Sequence, residues 1–102
     1  MGPEELLANC TGFDWDEGNL LKNWEKHEVS GSECEQVFFN RPLVAEPYAK
    51  HSTREWRYYV LGQTDSGRRL FLLFTVRDNL IRVISAREMS RRERREYEKH
   101  GQ

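Results

Sequence analysis

The segment from Glu55 to Arg87 limits the fold more than any other part of the sequence. It contains three runs rich in aromatic and branched residues, EWRYYVLGQT, RRLFLLFTV and LIRVISAR, separated by the turn sequences DSG and RDN. This order predicts a three-stranded antiparallel meander. The middle run includes LFLLF, which is apolar at every position. We therefore expect the central strand to be covered on both of its faces.

A first helix is predicted over residues 17–27, EGNLLKNWEKH. Three of its apolar side chains lie on one face at helical spacing: Leu20, Leu21 and Trp24. Asp14 and Glu17 fit a capping box, in which Asp14 caps the helix and Glu17 reaches back. Phe13 and Trp15 flank Asp14 with a period of two, which also favours a short edge strand before the helix.

A second helix is predicted where another capping box, Ser30 with Glu33, opens the sequence SECEQVFF. Its apolar face consists of Cys34, Val37 and Phe38, and Pro42 prevents its continuation. Because only a few residues join the two helices, we expect them to lie antiparallel or steeply crossed.

These elements predict an α+β fold with two N-terminal helices packed on a small antiparallel sheet and a basic C-terminal helix. The last helix begins at a third capping box, Ser90 with Glu93. The run LVAEPY before the meander is held to an edge by Pro47, which cannot donate a ladder hydrogen bond. We expect residues 13–102 to form one domain and residues 1–12 a flexible leader.

The charge is distributed unevenly along the chain. Residues 1–40 carry nine acidic and two basic side chains, whereas residues 41–102 carry eight acidic and fourteen basic ones, twelve of them Arg. Arg is the side chain best suited to bidentate recognition of phosphate. Two explanations remain open: the two halves attract each other, or the basic half binds an anionic partner.

Familiar nucleotide-binding and hydrolase motifs are absent from the sequence. The histidines at 27, 51 and 100 are scattered, and Cys10 and Cys34 form no CxxC pair, so we expect no metal and no other cofactor. The N-terminal sequence MGPEELLANC is acidic and lacks the apolar core of a secretory signal. The run LFLLF is too short to cross a bilayer. We therefore expect a cytoplasmic protein without a membrane partner.

Lys26 and His27 end the first helix, where cations are favoured by the helix dipole. That effect alone would explain both residues. In the functional interpretation, His27 exchanges a proton near neutral pH and Lys26 holds an anion. Arg57 stands in an otherwise aromatic strand and needs a carboxylate or phosphate partner, for which Glu55 is the simplest candidate.

Arg87 closes the last strand of the meander. On an ideal strand it shares a face with Val83 and Ser85, while Arg82 lies on the opposite face with Ile84. Arg82 is therefore predicted to lie at the protein surface or to contact a partner.

The C-terminal helix is almost entirely polar. Four of its cations are Arg91, Arg92, Arg94 and Arg95. They alternate with Glu93, Glu96 and Glu98, so ion pairs within the helix explain part of this run. Tyr97 either anchors this helix or acts on nucleic acid by stacking or proton transfer.

The sequence closely resembles the BrnT family of bacterial toxin–antitoxin ribonucleases. The resemblance runs from Phe13 to Gly101 through FDWDEGNLLKNWEKHEVS, VFFNRP and RYYVLGQTDSGRRLFLLFTVRDNLIRVISAREMSRRERREYEKHG. It depends on four patterns in order: F-x-W-D, W/L-x-K-H, G-x-T-x-x-G-R, and a last one that reads here Arg82, Ser85-Ala86-Arg87, Ser90, Glu93-Arg94 and Tyr97.

The resemblance implies a RelE-like fold and a toxin that cleaves RNA by 2′-hydroxyl attack on the adjacent phosphate, without a metal. It also implies neutralisation by a cognate DNA-binding antitoxin in a hetero-oligomer. The implied catalytic side chains are His27, Arg57, Arg87 and Tyr97. Lys26, Arg82, Arg91, Arg94 and Arg95 are the expected contacts to RNA.

Two positions depart from the family pattern. Glu28 stands where the family usually has Gly, so we expect it to extend the helix or to place a carboxylate beside His27. Gly31 replaces an aromatic residue. Loss of catalysis through Glu28 would leave a protein of another class. The alternative is then a non-enzymatic module that docks an acidic protein or nucleic acid, and a plain structural subunit is a third possibility.

Overall fold

The computed structural model of the chain describes residues 2–48 and 55–101. His51, one of the three histidines considered above, lies outside these ranges. In the described residues the elements follow the order α1 (Pro3–Ala8), β1 (Gly12–Phe13), α2 (Glu17–His27), α3 (Gly31–Phe39), β2 (Val44–Pro47), β3 (Tyr58–Gln63), β4 (Arg69–Arg77), β5 (Leu80–Glu88) and α4 (Arg91–His100). None of the helices in this part of the chain is both long and apolar enough to cross a membrane.

The five strands form one sheet in the order β1-β5-β4-β3-β2. The predicted meander is confirmed, because β3, β4 and β5 pair antiparallel in sequence. The expectation of a purely antiparallel sheet is wrong. β1 pairs with β5 in parallel, placing Gly12 beside Leu80 and Phe13 beside Ile81. Pro47 lies in β2 at the opposite edge, as predicted.

Strand β4 is central and buries apolar side chains on both faces, as LFLLF predicts. On one side, here called the covered face, Leu70, Leu72 and Phe74 pack with α3. On the other, here called the open face, Phe71 and Leu73 pack with a smaller cluster that includes Met89 and Tyr97. The main core therefore lies between the sheet and α3.

The capping boxes at Ser30 and Ser90 are present, and each serine accepts the N–H of the glutamate three residues on. The cap predicted at Asp14 is wrong. Asp14 continues the edge strand, donating its N–H to the carbonyl of Ile81, and Asp16 caps α2 instead. The predicted apolar face of α3 is confirmed, with Cys34, Val37 and Phe38 buried.

Helix α2 does not pack through its predicted apolar face. Leu21 and Trp24 are 58% and 53% exposed, whereas Asn23 is 2% exposed. The helix lies along β5, where the short β1 leaves backbone groups without a strand partner. Asn19 and Lys22 donate to the carbonyls of Val83 and Ile84, at 3.5 and 3.1 Å. This contact requires polar side chains, which the apolar spacing could not predict.

A β-bulge in β5 changes which side chains share a face. Leu73 pairs with Ser85 and Phe74 pairs with Val83, so Ile84 is the extra residue. The prediction from ideal alternation is therefore wrong for the two arginines. Arg87 pairs with Phe71 and Arg82 pairs with Thr75. Both arginines consequently belong to the open face, and Arg87 no longer shares a face with Val83.

The N-terminal residues form α1, and Leu7 and Cys10 pack against the main core. The helix has no buried residues of its own. A flexible leader stays a prediction.

Candidate functional site

The open face carries a cleft of about 530 Å³ around Arg87, here called the Arg87 cleft. Its lining combines aromatic rings with charged groups, and it includes Tyr48, Tyr59, Phe71, Arg87, Arg92 and Glu93. The bulge in β5 directs Arg87 to this side, and the start of α4 supplies Arg92 and Glu93. Aromatic rings can stack on a base while the neighbouring arginines bind the adjoining phosphate.

The Arg87 guanidinium is held from two directions. It donates two hydrogen bonds to the Glu93 carboxylate, from Nη1 to Oε1 at 2.8 Å and from Nη2 to Oε2 at 3.0 Å. It also lies over the ring of Phe71, with 4.2 Å from Cζ to the ring centroid. Such a bidentate, stacked arginine is rigid compared with a solvated one.

The ionisation of this pair follows from its contacts. Burial would raise the pKa of Glu93, but the hydrogen bonds from Arg87 and from the Ser90 backbone outweigh it and hold that pKa below its ordinary value. The same hydrogen bond to Glu93 raises the pKa of Arg87. Both groups are therefore charged at neutral pH.

A second cleft of about 350 Å³ lies further along the open face, here called the Arg57 cleft. Its lining includes Arg57, Thr75, Arg77 and Arg82. Thr75 and Phe71, which pair with Arg82 and Arg87, are four residues apart on β4. The two clefts are therefore separated by roughly 13 Å along the strand.

The expected partner of Arg57 is wrong. Glu55 forms an ion pair with Arg77 and accepts a hydrogen bond from the Thr75 hydroxyl. Arg57 lies just before β3 and is half-buried. The Arg57 side chain forms neither a hydrogen bond nor an ion pair to any residue in the ranges 2–48 and 55–101. It is therefore available to an anion that enters the cleft.

Arg82, in the same cleft, is already paired. Its guanidinium donates to Asp16 at 3.0 Å and to Asp14 at 3.5 Å. The hydrogen bond from the Asn19 backbone is the largest cause that lowers the pKa of Asp16, and Arg82 adds to it. An RNA phosphate near Arg82 would have to share it with these carboxylates.

Tyr97 anchors α4, as one of its two interpretations predicts. Its ring is buried on the open face, and its hydroxyl donates to the carbonyl of Pro42 at 2.7 Å. Burial raises the pKa of Tyr97. Both facts reduce the availability of this hydroxyl for proton transfer.

The other cations of α4 are exposed. Arg91, Arg94 and Arg95 lie at the surface, and Arg94 approaches Glu88 at 3.7 Å. Arg92 lines the Arg87 cleft, as noted above. The prediction that Glu93 pairs within the helix is wrong, because its carboxylate reaches Arg87 on β5.

Lys26 and His27 end α2 and are exposed. Arg68 fixes this end of the helix by donating to the carbonyls of His27 and Glu28, at 2.9 and 2.7 Å, and by pairing with Glu33. Among the described residues, neither Lys26 nor His27 lines the Arg87 cleft or the Arg57 cleft.

Glu28 does not extend the helix, so that expectation is wrong. It takes the left-handed conformation, with φ 52° and ψ 42°, and ends α2 as a glycine would. The tertiary contacts of α2 impose this geometry on a residue that has a Cβ.

Sequence reasoning missed three functional neighbours. The sequence predicts Glu93 only as a helix cap and a partner for cations of its own helix, Phe71 only as core, and no role for Arg68. The pairing of Phe71 with Arg87 depends on the bulge, which no residue type marks. In residues 2–48 and 55–101, no three His, Cys, Asp or Glu side chains are grouped so that they could hold a metal ion.

This α+β domain carries arginines along one face of its sheet, and arginines clustered on one face are the electrostatic footprint of proteins that bind an anionic polymer. A family model described as "Ribonuclease toxin, BrnT, of type II toxin-antitoxin system" matches residues 15–93. The chain therefore belongs to the BrnT family of ribonuclease toxins.

A solved structure supports the fold. The 1.1 Å crystal structure of the Brucella abortus ribonuclease toxin BrnT matches with a TM-score of 0.58 and 19% sequence identity. The match covers 79% of this chain and 99% of that chain. At this identity the likeness shows the shared fold alone. No curated protein matches the chain.

Proposed function

We propose that this chain is a cytoplasmic endoribonuclease toxin with a RelE-like active face, and that it binds single-stranded RNA across the open face of its sheet. The observation that carries the proposal is Arg87. It is ordered over Phe71 in a cleft of about 530 Å³. Arg57 and Arg82 line the next cleft on the same face. Different phosphates of one strand would contact the arginines of the two clefts.

In the proposed reaction, the 2′-oxygen of a ribose attacks the adjacent phosphorus and the bond from phosphorus to the 5′-oxygen breaks. The 2′-hydroxyl gives its proton to a base, and the departing 5′-oxygen takes up a proton. The products are a 2′,3′-cyclic phosphate and a 5′-hydroxyl. Arg87 stabilises the negative charge that grows on the phosphoryl oxygens, which arginine can do without a metal.

The remaining candidates have supporting roles in this proposal. Arg57 and Arg82 hold a flanking phosphate. Arg91, Arg94 and Arg95 attract the strand beside α4, and Lys26 does so at the end of α2. His27, exposed at the end of α2, is the proposed proton-transfer group, and in this role its side chain would have to reach the 2′-hydroxyl beside the phosphate at Arg87. Tyr97 positions α4, since its hydroxyl is already bonded to Pro42.

A cognate DNA-binding antitoxin is proposed to neutralise the toxin in a hetero-oligomer. Family membership supports this partner. Co-expression of the neighbouring reading frame and copurification would test it. An excess of the purified antitoxin should abolish RNA cleavage, and failure to do so would remove it as the partner.

The function is tested by RNA cleavage with purified protein in EDTA. Wild type should cleave, Arg87→Ala should lose about 10²–10³ in rate, and Arg87→Lys should recover little because an ammonium cannot form the bidentate contact. Arg41→Ala, which removes an exposed arginine that lines neither cleft, should cleave like wild type. Equal cleavage by Arg87→Ala and wild type would refute the assigned site.

The alternative is a module that binds RNA or an acidic protein without cleaving it. One observation favours it: in the described part of the chain, neither cleft is lined by His27. RNA binding without cleavage by the wild-type protein, with ribosomes also supplied, would select the module. Loss of cleavage in His27→Gln with retained RNA affinity would select the enzyme.

A further inference from the structure

The hydrogen-bonding capacity of Arg87 is only partly used. A guanidinium has five N–H groups. Nη1 donates to Glu93 at 2.8 Å and to the carbonyl of Glu88 at 3.1 Å, and Nη2 donates to Glu93 at 3.0 Å. The Nε–H and the second Nη2–H find no acceptor within residues 2–48 and 55–101. These two groups lie on one edge of the guanidinium and form a second fork.

Glu93 is itself fixed. Its Oε1 accepts the backbone N–H of Ser90 at 2.8 Å, and its own N–H donates to the Ser90 hydroxyl at 3.2 Å. The carboxylate is largely buried, with 21% of its side chain exposed. The Phe71 ring holds the flat side of the guanidinium. Carboxylate and ring together set the plane in which the free fork lies.

We infer that Glu93 is a positioning residue, which holds the end of the Arg87 guanidinium so that the free Nε–H and Nη2–H edge receives one RNA phosphodiester. The inference rests on the proposed function. Two parallel N–H donors match two phosphate oxygens. Glu93 and the phosphate use different edges, so RNA binding does not require the ion pair to break.

The capping box makes a clean variant available. Glutamine is accepted at this position of the box, so Glu93→Gln keeps the helix start. Its amide has one oxygen and one NH₂ group, so it cannot reproduce the two parallel hydrogen bonds that the two carboxylate oxygens accept from Nη1 and Nη2. Glu93→Asp keeps the charge on a shorter side chain. Glu98→Gln is the matched control. Glu98 lies on the same helix as Glu93 but outside the Arg87 cleft, and the substitution removes its ion pair with Arg69 of β4.

The experiment titrates each variant with a 2′-O-methyl RNA oligonucleotide, which lacks the attacking hydroxyl. The signal of the Arg87 Nε–H is followed by ¹⁵N-edited NMR and assigned by its loss in Arg87→Lys. The wild-type signal should shift as RNA binds. Glu93→Gln should weaken binding about tenfold, Glu93→Asp should recover part of the affinity, and Glu98→Gln should bind like wild type.

RNA binding that leaves the Nε–H signal unmoved would overturn the inference. So would a Glu93→Gln variant that binds as well as wild type, or more tightly, since tighter binding would make Glu93 a competitor of the phosphate. If Glu93→Gln fails to fold, Glu93→Asp takes its place and should bind RNA more weakly than wild type. Absence of both binding and cleavage in wild type would instead refute the proposed function.

Discussion

The side chain of Asn23 takes the place of a neighbouring strand for Ala86. Its Oδ1 accepts the backbone N–H of Ala86 at 3.1 Å, at a point where β5 has lost its parallel neighbour. Both residues are buried. A buried N–H without an acceptor is costly, so this contact, together with those of Asn19 and Lys22 to the carbonyls of β5, holds α2 against the sheet.

Replacing Asn23 with alanine should lower the free energy of unfolding by about 1–3 kcal/mol, because the N–H of Ala86 would be left without an acceptor. Urea denaturation at neutral pH measures this. The control is Leu21→Ala on the same helix, whose side chain is 58% exposed. It should change the free energy of unfolding by no more than about 0.5 kcal/mol. A larger loss for Leu21→Ala than for Asn23→Ala would contradict the docking described.

This helix shows where prediction from the sequence stops. The position of the helix over residues 17–27 follows from its pattern, but its buried face does not. Helical spacing of Leu20, Leu21 and Trp24 indicates an apolar contact only if the partner surface is apolar. Here the partner is a strand edge with unpaired backbone groups, which depends on the two-residue length of β1. Pairing between distant segments therefore decides the face.

The same limit applies to the site. Arg57, Arg82 and Arg87 could be selected as phosphate ligands from residue type. The common face of Arg82 and Arg87 could not be predicted, because it depends on the extra residue Ile84 in β5. The meander, helix α3 and the caps at Ser30 and Ser90 follow from local patterns, so the sequence predicts them.

Glu28 offers a test of backbone strain. Its φ of 52° is unfavourable for a residue with a Cβ. Glu28→Gly should therefore raise the free energy of unfolding by about 0.5–1 kcal/mol. Glu28→Ala removes the charge but keeps the Cβ, so it should not reproduce the gain. Thermal and urea denaturation of wild type, Glu28→Gly and Glu28→Ala measure these differences. Equal stabilisation by Glu28→Ala and Glu28→Gly would show that the gain comes from removing the charge.

Stability should decrease in acid, partly through Glu33. Burial would raise the pKa of Glu33, but the Ser30 backbone N–H and Arg68 outweigh it and lower that pKa. A carboxylate with a depressed pKa in the folded state stabilises the protein above its unfolded pKa of about 4.3, and this contribution is lost as pH falls through the folded value.

Glu33→Gln keeps the capping box but removes this titration. At pH 7 it should cost about 1 kcal/mol, since the pair with Arg68 is partly exposed. Below the folded pKa the variant and wild type should converge. Urea denaturation from pH 7 to about pH 3 measures both curves. Curves that stay parallel throughout would show that Glu33 does not contribute to the acid sensitivity.

The substitution Tyr97→Phe tests whether the Tyr97 hydroxyl anchors α4 or transfers a proton during RNA cleavage. Loss of the hydroxyl leaves the carbonyl of Pro42 without its donor, which should cost about 1 kcal/mol of stability. RNA cleavage at a temperature where both proteins are folded should be unchanged. A fall of about 10²–10⁴ in the cleavage rate, with little loss of stability, would instead make Tyr97 a proton-transfer group.

Arg57 should contribute one phosphate contact to RNA binding. Arg57→Ala is expected to weaken binding of a 2′-O-methyl oligonucleotide, and to reduce the slope of log affinity against log salt by about 0.7, the value for one contact on a single strand. The control Arg41→Ala removes an exposed arginine that bonds only to the carbonyls of Phe38 and Asn40 among the described residues. Its slope should match wild type. Fluorescence anisotropy at several salt concentrations measures all three. Identical slopes for Arg57→Ala and wild type would exclude the Arg57 cleft from the RNA path, because an arginine that neutralises a phosphate must release a counterion.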